Sequence, residues 1–327
     1  MQHHMGRYTL QDFVRAIRNP ECFRNELYRL RWDARRRALD INQWYHQSVR
    51  GRPDAGVRVM ERDWDTLLIL DACRYDMYAE RSTLNGNRER VLSRGSQSGE
   101  FMEANFLNGR FHDTVYVTAN PHSYDIPNGT FHAVEFLLED CWDDASRTVL
   151  PETVVQRTLD ALEAYPNKRL LVHFMQPHFP FLGPTGEHFE HLGIELHLEE
   201  SERSHAANPW EELMFGTRFD EETVIQAYRE NYDIVLDHVA DLVAALSGKI
   251  ALTSDHGNLL GERTYPVPLS TYGHPPGIYK RELLEVPWVE FGTADTRRKV
   301  TADPPVEAEG ITAETVEQRL NDLGYHA

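Results

Sequence analysis

The stretch that most constrains this chain is Lys249-Ile250-Ala251-Leu252-Thr253-Ser254-Asp255-His256-Gly257-Asn258-Leu259-Leu260-Gly261-Glu262. It opens as a short apolar run, of the kind that fills a strand buried on both faces. It then breaks into an acid, an imidazole and a glycine. In an open parallel sheet, ligands bind just beyond the carboxyl ends of strands, so Asp255 and His256 fall where such a fold keeps its chemistry. Together they offer a hard oxygen and a borderline nitrogen to one divalent cation. Taken alone the stretch has a second reading, in which Asp255 caps a helix and His256 is incidental.

Two further runs have the same form. In Asp63-Trp64-Asp65-Thr66-Leu67-Leu68-Ile69-Leu70-Asp71-Ala72-Cys73-Arg74-Tyr75-Asp76, four apolar residues in a row deliver Asp71 to the end of a central parallel strand. Asp76 is expected to cap or pair at the following turn. Cys73 has no sequence-local partner and reads as a structural thiol. In Arg169-Leu170-Leu171-Val172-His173-Phe174-Met175-Gln176-Pro177-His178-Phe179-Pro180-Phe181, an apolar strand runs into two histidines. His178, set between prolines past the strand, is the candidate to grip an anionic substrate. The small-residue loop Ser93-Arg94-Gly95-Ser96-Gln97-Ser98-Gly99 opens a helix through Asn105 and Phe106. A hydroxyl at a helix N-terminus sits in a field that stabilises an alkoxide or an attached phosphate. Ser96 and Ser98 equally serve as plain caps, and the loop alone leaves both readings open.

Val115–Thr118 and Leu283–Phe291 read as strands, Pro151–Tyr165 and Tyr228–Ser247 as helices with an apolar inner face. This βα alternation predicts an α/β protein, a three-layer αβα sandwich around a mostly parallel, doubly wound sheet. A helical extension precedes it. The expected division is a basic N-terminal extension over 1–62, a catalytic domain over 63–300 and a linker with a terminal helix over 301–327. Within the second, residues 183–222 form a long, acidic, histidine-dotted insertion or lid.

Charge separates these parts. The 327 residues carry a net charge of −18, yet residues 1–62 hold thirteen arginines against seven acids, about +6, which leaves about −24 on the rest. So acidic a body excludes general nucleic-acid binding, which needs a basic surface. Leu10, Phe13, Val14, Ile17, Leu27, Leu30 and Trp32 give the extension an apolar side beside its arginines, which predicts packing against a partner surface, a second copy of this chain first. An anionic membrane is the competing partner. Three cysteines without CxxC spacing argue for a reducing compartment. No apolar run reaches the roughly 18 residues of a membrane span. With no signal-peptide core at the start, a cytoplasmic location is expected.

The full order of features is strand–Asp71, a serine loop about 25 residues on, a histidine-rich strand and loop, Ser254-Asp255-His256-Gly257, then Gly273-His274-Pro275 ahead of Val286-Pro287-Trp288. This ensemble resembles the sulfatase-like branch of the alkaline phosphatase superfamily over roughly residues 63–292. Leu70-Asp71-Ala72-Cys73-Arg74 looks like that family's first metal-binding strand end, and Arg74 joins the candidate catalytic set.

The resemblance implies metal-assisted attack on a phosphate or sulfate ester. Asp71, Asp255 and His256 would ligate a divalent cation, zinc first for a mixed O/N set, with manganese, magnesium or calcium as alternatives. A serine hydroxyl, Ser98 with Ser96 next, would ligate the cation and act as nucleophile. His178 and His274 would hold the oxyanion or protonate the leaving group. The sequence departs from the family in two ways. No Cys or Ser is followed by x-Pro-x-Arg, the formylglycine pattern, so phosphate esters are preferred to sulfate esters. The second-metal pattern, an Asp followed four residues later by His, is also missing. His173 and His178 stand in its place, and one metal is expected. A catalytically inactive superfamily member serving as a binding or assembly subunit is the alternative from another class.

Overall fold

The computed structural model describes residues 20–187, 189, 208–216, 219–292 and 297–306, with side chains from residue 30 onward. A long helix, α1 (Pro20–Tyr45), precedes the sheet. In chain order there follow β1 (Thr66–Asp71), α2 (Tyr75–Arg81), β2 (Asn87–Leu92), α3 (Ser98–Asn105), β3 (Phe111–Thr118) and β4 (Phe131–Phe136). Then come α4 (Pro151–Ala164), β5 (Arg169–Pro177), α5 (Pro209–Phe215), α6 (Glu221–Ala245), β6 (Ile250–Ser254), β7 (Leu259–Thr264), β8 (Leu269–Gly273) and β9 (Glu285–Phe291).

Seven strands form one sheet in the order β2-β9-β6-β1-β5-β3-β4, and β7 with β8 make a separate hairpin. Pairs β6–β1, β1–β5, β5–β3 and β3–β4 are parallel. Only β9 runs the other way, antiparallel to both β6 and β2. This is the expected mostly parallel sheet covered by helices. The sequence reading missed β2, β4 and the β7–β8 hairpin. Asn87–Leu92 is charged and largely exposed, and an edge strand of that kind lacks the apolar run that marks a buried one.

Alternation along the strands sorts the core. Leu68, Leu70, Val115, Val117, Leu170, Val172 and Leu252 pack with Val154 and Ala161 of α4 and with Tyr228, Val235 and Val239 of α6. Leu67, Ile69, Tyr116, Leu171 and Ala251 face the other way, against Phe101 and Met102 of α3. With a period of two, Asp71 and His173 come next on this second side, and Asn120 and Asp255 follow just past the ends of β3 and β6. Strands β6, β1, β5 and β3 are consecutive in the sheet.

The described part of α1 packs on the chain itself. The Trp32 ring lies 5.1 Å from that of Phe215 in α5, and Arg35 Nη1 donates to Met214 O at 2.9 Å. Asn42 is buried, its Nδ2 donating to Thr264 Oγ1 and Val267 O of the hairpin, each at 2.8 Å. Leu30, Ile41 and Trp44, with Val49 just beyond, stay exposed. Leu10, Phe13, Val14 and Ile17 of the expected extension, and the terminal helix over 313–323, lie outside the described residues, as does most of the 183–222 insertion; Leu27 belongs to α1. At the other end, Lys168 is buried and pairs with Asp303 at 2.5 Å, so residues 301–303 lie against the body rather than leaving it as a linker. No helix among the described residues is long and apolar enough to cross a membrane.

Candidate active site

Asp71 ends β1 at a register shift, and Ala72 after it takes a left-handed backbone, φ 59°. That conformation is uncommon for a residue with a side chain and persists only where the surroundings hold it. Here Ala72 N–H donates to Asp255 Oδ1 at 3.1 Å, Ala72 O accepts from the Tyr228 hydroxyl at 2.5 Å, and Cys73 N–H donates to Ser254 Oγ at 2.9 Å. The two strand ends are therefore latched together. Gly257 allows the neighbouring chain in: a Cβ there would lie 2.1 Å from Glu282 O.

Ser98 opens α3, and the Gln97 side chain caps that helix by accepting from Gly99 N–H. Ser98 Oγ lies 2.7 Å from Asp255 Oδ2, 3.3 Å from Asp71 Oδ2 and 3.4 Å from His256 Nε2. Asn120 Nδ2 donates to Asp71 Oδ2 at 2.5 Å and to Ser98 Oγ at 3.0 Å. His256 Nε2 is 3.6 Å from Asp71 Oδ1 and 3.4 Å from Asp255 Oδ2, and His173 Nε2 is 3.7 Å from Asp255 Oδ2. All six of these side chains are buried.

His256 Nδ1 lies 2.7 Å from Gly257 O, which fixes the ring and turns Nε2 toward the two carboxylates. Asp71 Oδ1 and His173 Nε2 are buried without a hydrogen-bond partner. Burial, then the nearby Asp255 charge, pushes the Asp71 carboxyl well above the usual carboxylate range. Burial also opposes charge on Asp255, but the imidazoles of His256 and His173, the Ser98 hydroxyl and the Ala72 N–H outweigh it and carry Asp255 below that range. A divalent cation fits this cluster. Ligands bonded at about 2.1 Å in a tetrahedron stand roughly 3.4 Å apart, and the separations around Ser98, Asp71, Asp255 and His256 run from 2.7 to 3.6 Å. One ligand atom each from Asp71, His173 and Asp255 also falls within 4.8 Å of the others. His173 Nδ1 meets the Tyr116 hydroxyl at 2.9 Å, the kind of outer partner that orients a ligating imidazole.

His274 and His178 continue the cluster outward. The ring centroids of His256 and His274 are 4.6 Å apart, and those of His274 and His178 are 4.9 Å apart. Burial lowers both, His178 to about 3 and His274 well below its ordinary value, so both are neutral. His274 Nδ1 meets Asn258 Oδ1 at 3.3 Å, and His178 Nδ1 is bonded to Phe179 O.

Two candidates from the sequence are not brought to this cluster. Arg74 is committed elsewhere, to Asp76, to Glu262 at 2.6 Å and to Asn258 O at 2.9 Å. It secures the turn behind the strand end rather than reaching the reacting group. Ser96 is bonded to Glu100, and its hydroxyl faces the loop that follows β8. Asp76 accepts from Met77 N–H and pairs with Arg74, as its place at the turn required, and Cys73 is buried with its thiol pushed up by burial. Asn120 is the member that sequence reasoning missed. Its signal was the Asn120-Pro121 pair just past a strand end, where Asn120 caps the turn that follows.

No protein-family model matches the sequence, and no curated protein does. In three dimensions the chain is similar to several solved proteins. One is the C-terminal periplasmic domain of EcEptC from Escherichia coli in complex with Zn, 14% identical over 76% of this chain and 77% of that one, with a TM-score of 0.45. A second is the phosphonate monoester hydrolase SpPMH from Silicibacter pomeroyi, 13% identical over 80% and 73%, TM-score 0.44. A third is a protein of the alkaline phosphatase superfamily from Vibrio parahaemolyticus, 11% identical over 80% and 69%, TM-score 0.42.

Proposed function

We propose that this chain is a metal-dependent enzyme that cleaves or transfers a phosphate ester through Ser98. The observation that carries the reading is the setting of one hydroxyl: Ser98 Oγ, at a helix N-terminus, within 3.4 Å of two buried carboxylates and an imidazole nitrogen. A structural cap has no use for that surrounding, because buried like charges destabilise a fold unless something binds them.

Asp71, Asp255, His256 and His173 would hold the cation, zinc before manganese for two oxygens and two nitrogens. When bound, the cation supplies positive charge that favours a serine alkoxide near neutral pH and offsets charge on the phosphoryl oxygens. The chain's own groups do the rest. Asp255 Oδ2 takes the Ser98 hydroxyl hydrogen bond and so aims the oxygen. Asn120 Nδ2 donates to the same oxygen and stabilises the charge that develops as its proton leaves. The peptide N–H groups of the first turn of α3 favour a phosphate attached there. His274 and His178 stand outward of His256 as neutral imidazoles, placed to contact the ester rather than to supply its leaving oxygen with a proton. A phosphate rather than a sulfate ester suits Ser98-Gly99-Glu100-Phe101, which lacks the formylglycine pattern. The cytoplasm remains the proposed location, on the cysteine pattern.

The test is a panel of para-nitrophenyl phosphate, bis-para-nitrophenyl phosphate and para-nitrophenyl sulfate, offered to the zinc- and manganese-loaded protein. Turnover of a phosphate ester that falls by about 10⁶ in Ser98→Ala, the scale on which a protease loses activity with its nucleophile, supports the reading. Full activity in Ser98→Ala overturns it.

A further inference from the structure

Building on that reading, we infer that Glu100 is a positioning residue that locks the Ser98 loop to the His274 loop, so that nucleophile and outer histidine keep a fixed separation. Glu100 lies in the first turn of α3, two residues past Ser98. Its Oε2 accepts from Ser96 N–H and from Ser96 Oγ, each at 2.9 Å. Its Oε1 accepts from Gly277 N–H at 3.0 Å and from the Tyr279 hydroxyl at 3.4 Å. Gly277 is three residues past His274, and its N–H also lies 3.2 Å from Ser96 Oγ. One carboxylate thus gathers donors from two loops that are about 180 residues apart in sequence, and no ion pair among the described residues involves it.

An ordinary capping glutamate at this position reaches back to its own helix end. Glu100 does so through Ser96 and also reaches out to a second loop, which capping does not require. The surroundings reinforce the tie from both sides. Arg52 Nε donates to Arg94 O at 2.6 Å and its Nη2 donates to Glu100 O, which clamps the serine loop before and after Ser98. Gly95 lets the loop fold onto α3, since a Cβ there would lie 2.3 Å from Phe101 N. On the other side, Gln43 Nε2 donates to Pro276 O at 3.1 Å and Tyr279 N–H donates to His46 Nδ1 at 3.3 Å. Gln43, His46 and Arg52 all belong to the segment the sequence reading set outside the catalytic domain. The geometry makes that segment the outer wall of the same brace.

Rate depends steeply on such spacing, and a displacement of about 1 Å can cost on the order of 10²-fold. Glu100→Gln keeps the size of the side chain but turns one acceptor oxygen into a donor, which opposes the Ser96 or the Gly277 donors. With the phosphate ester the wild type turns over best, kcat is expected to fall about 10²-fold with KM within roughly threefold and zinc stoichiometry unchanged. Amide hydrogen exchange gives a readout independent of chemistry. In Glu100→Gln, exchange should rise about tenfold or more in both segments 94–99 and 273–279. Ser96→Ala, which keeps the Ser96 N–H bond to Glu100, serves where the first variant does not fold, with a kcat loss of about tenfold or less and the same two segments loosened. Exchange that changes only in 94–99, or an unchanged kcat in an enzyme shown to depend on Ser98, overturns the brace. If Ser98→Ala keeps full activity, the proposed reaction fails while the exchange result still decides the brace.

Discussion

The two faces of the central sheet are built from the same strands and do opposite things. On one, Leu68, Leu70, Val172, Leu252 and their neighbours meet α4 and α6 in a largely apolar layer. On the other, Leu67, Ile69, Leu171 and Ala251 begin a similar layer against Phe101 and Met102. Toward the strand ends that second layer gives way to Asp71, Asn120, His173 and Asp255, all buried. Apolar packing dominates the first face, whereas the second gives up packing for a buried cluster of acidic and imidazole groups that would hold a cation. The comparison teaches that chemistry here is loaded by strand alternation onto the face that receives the Ser98 helix.

The faces should therefore fail differently under substitution. Asp255→Asn, on the second face, is expected to lower metal affinity by more than about 100-fold, because even the loss of a partner outside the ligand set costs 10- to 100-fold. Equilibrium dialysis against zinc measures this, and turnover should fall with it while circular dichroism stays unchanged. Leu242→Ala, from the fully buried inner side of α6, should do the reverse. It should lower stability by about 2–5 kcal/mol in denaturant titration and leave zinc stoichiometry intact. If Leu242→Ala releases the metal in the folded protein, the two faces are not separable.

A smaller effect sharpens the contrast. Asp71→Asn removes one of two carboxylates that share the Ser98 hydroxyl in a buried site. The metal-free protein should gain about 1 kcal/mol, a rise of a few degrees in melting temperature, while zinc binding is lost. A metal-free variant that melts lower than the metal-free wild type would mean the carboxylate is structural. The smallest effect is expected on the outer face of α1. Ile41→Glu with Trp44→Glu should change stability by no more than about 0.5 kcal/mol, as exposed positions do. If those side chains hold two copies together, with the basic extension against the acidic body, light scattering will show the mass falling to that of one chain. A mass already that of one chain in the wild type rules the contact out.

Much of this was legible in the sequence because buried parallel strands announce themselves. Leu67–Leu70 is an apolar run that stops at an acid and Ile250–Leu252 one with an acid three residues on, and that pattern located Asp71 and Asp255 without any structure. What stayed hidden depended on long-range pairing. Ser96 and Ser98 are two residues apart, both buried, and nothing local says that one meets the strand ends while the other turns to Glu100 and Gly277. Arg74 was placed in the site because it follows Asp71, but its guanidinium is captured by Glu262, far along the chain. Asn120 carries no ionisable group and so drew no notice, although it lies just past a strand end and reaches Asp71 and Ser98. The hairpin β7–β8 alternates weakly and is short, which is why it read as loop.

The central claim is that Asp71, Asp255, His256 and Ser98 surround one divalent cation. The direct measurement is anomalous X-ray diffraction at the zinc absorption edge from crystals grown with zinc. One strong peak is expected about 2.0–2.2 Å from a carboxylate oxygen of Asp71, a carboxylate oxygen of Asp255 and His256 Nε2, with Ser98 Oγ alongside. A map with no peak at the ends of β1 and β6, or with its only peak on surface histidines, would contradict the account.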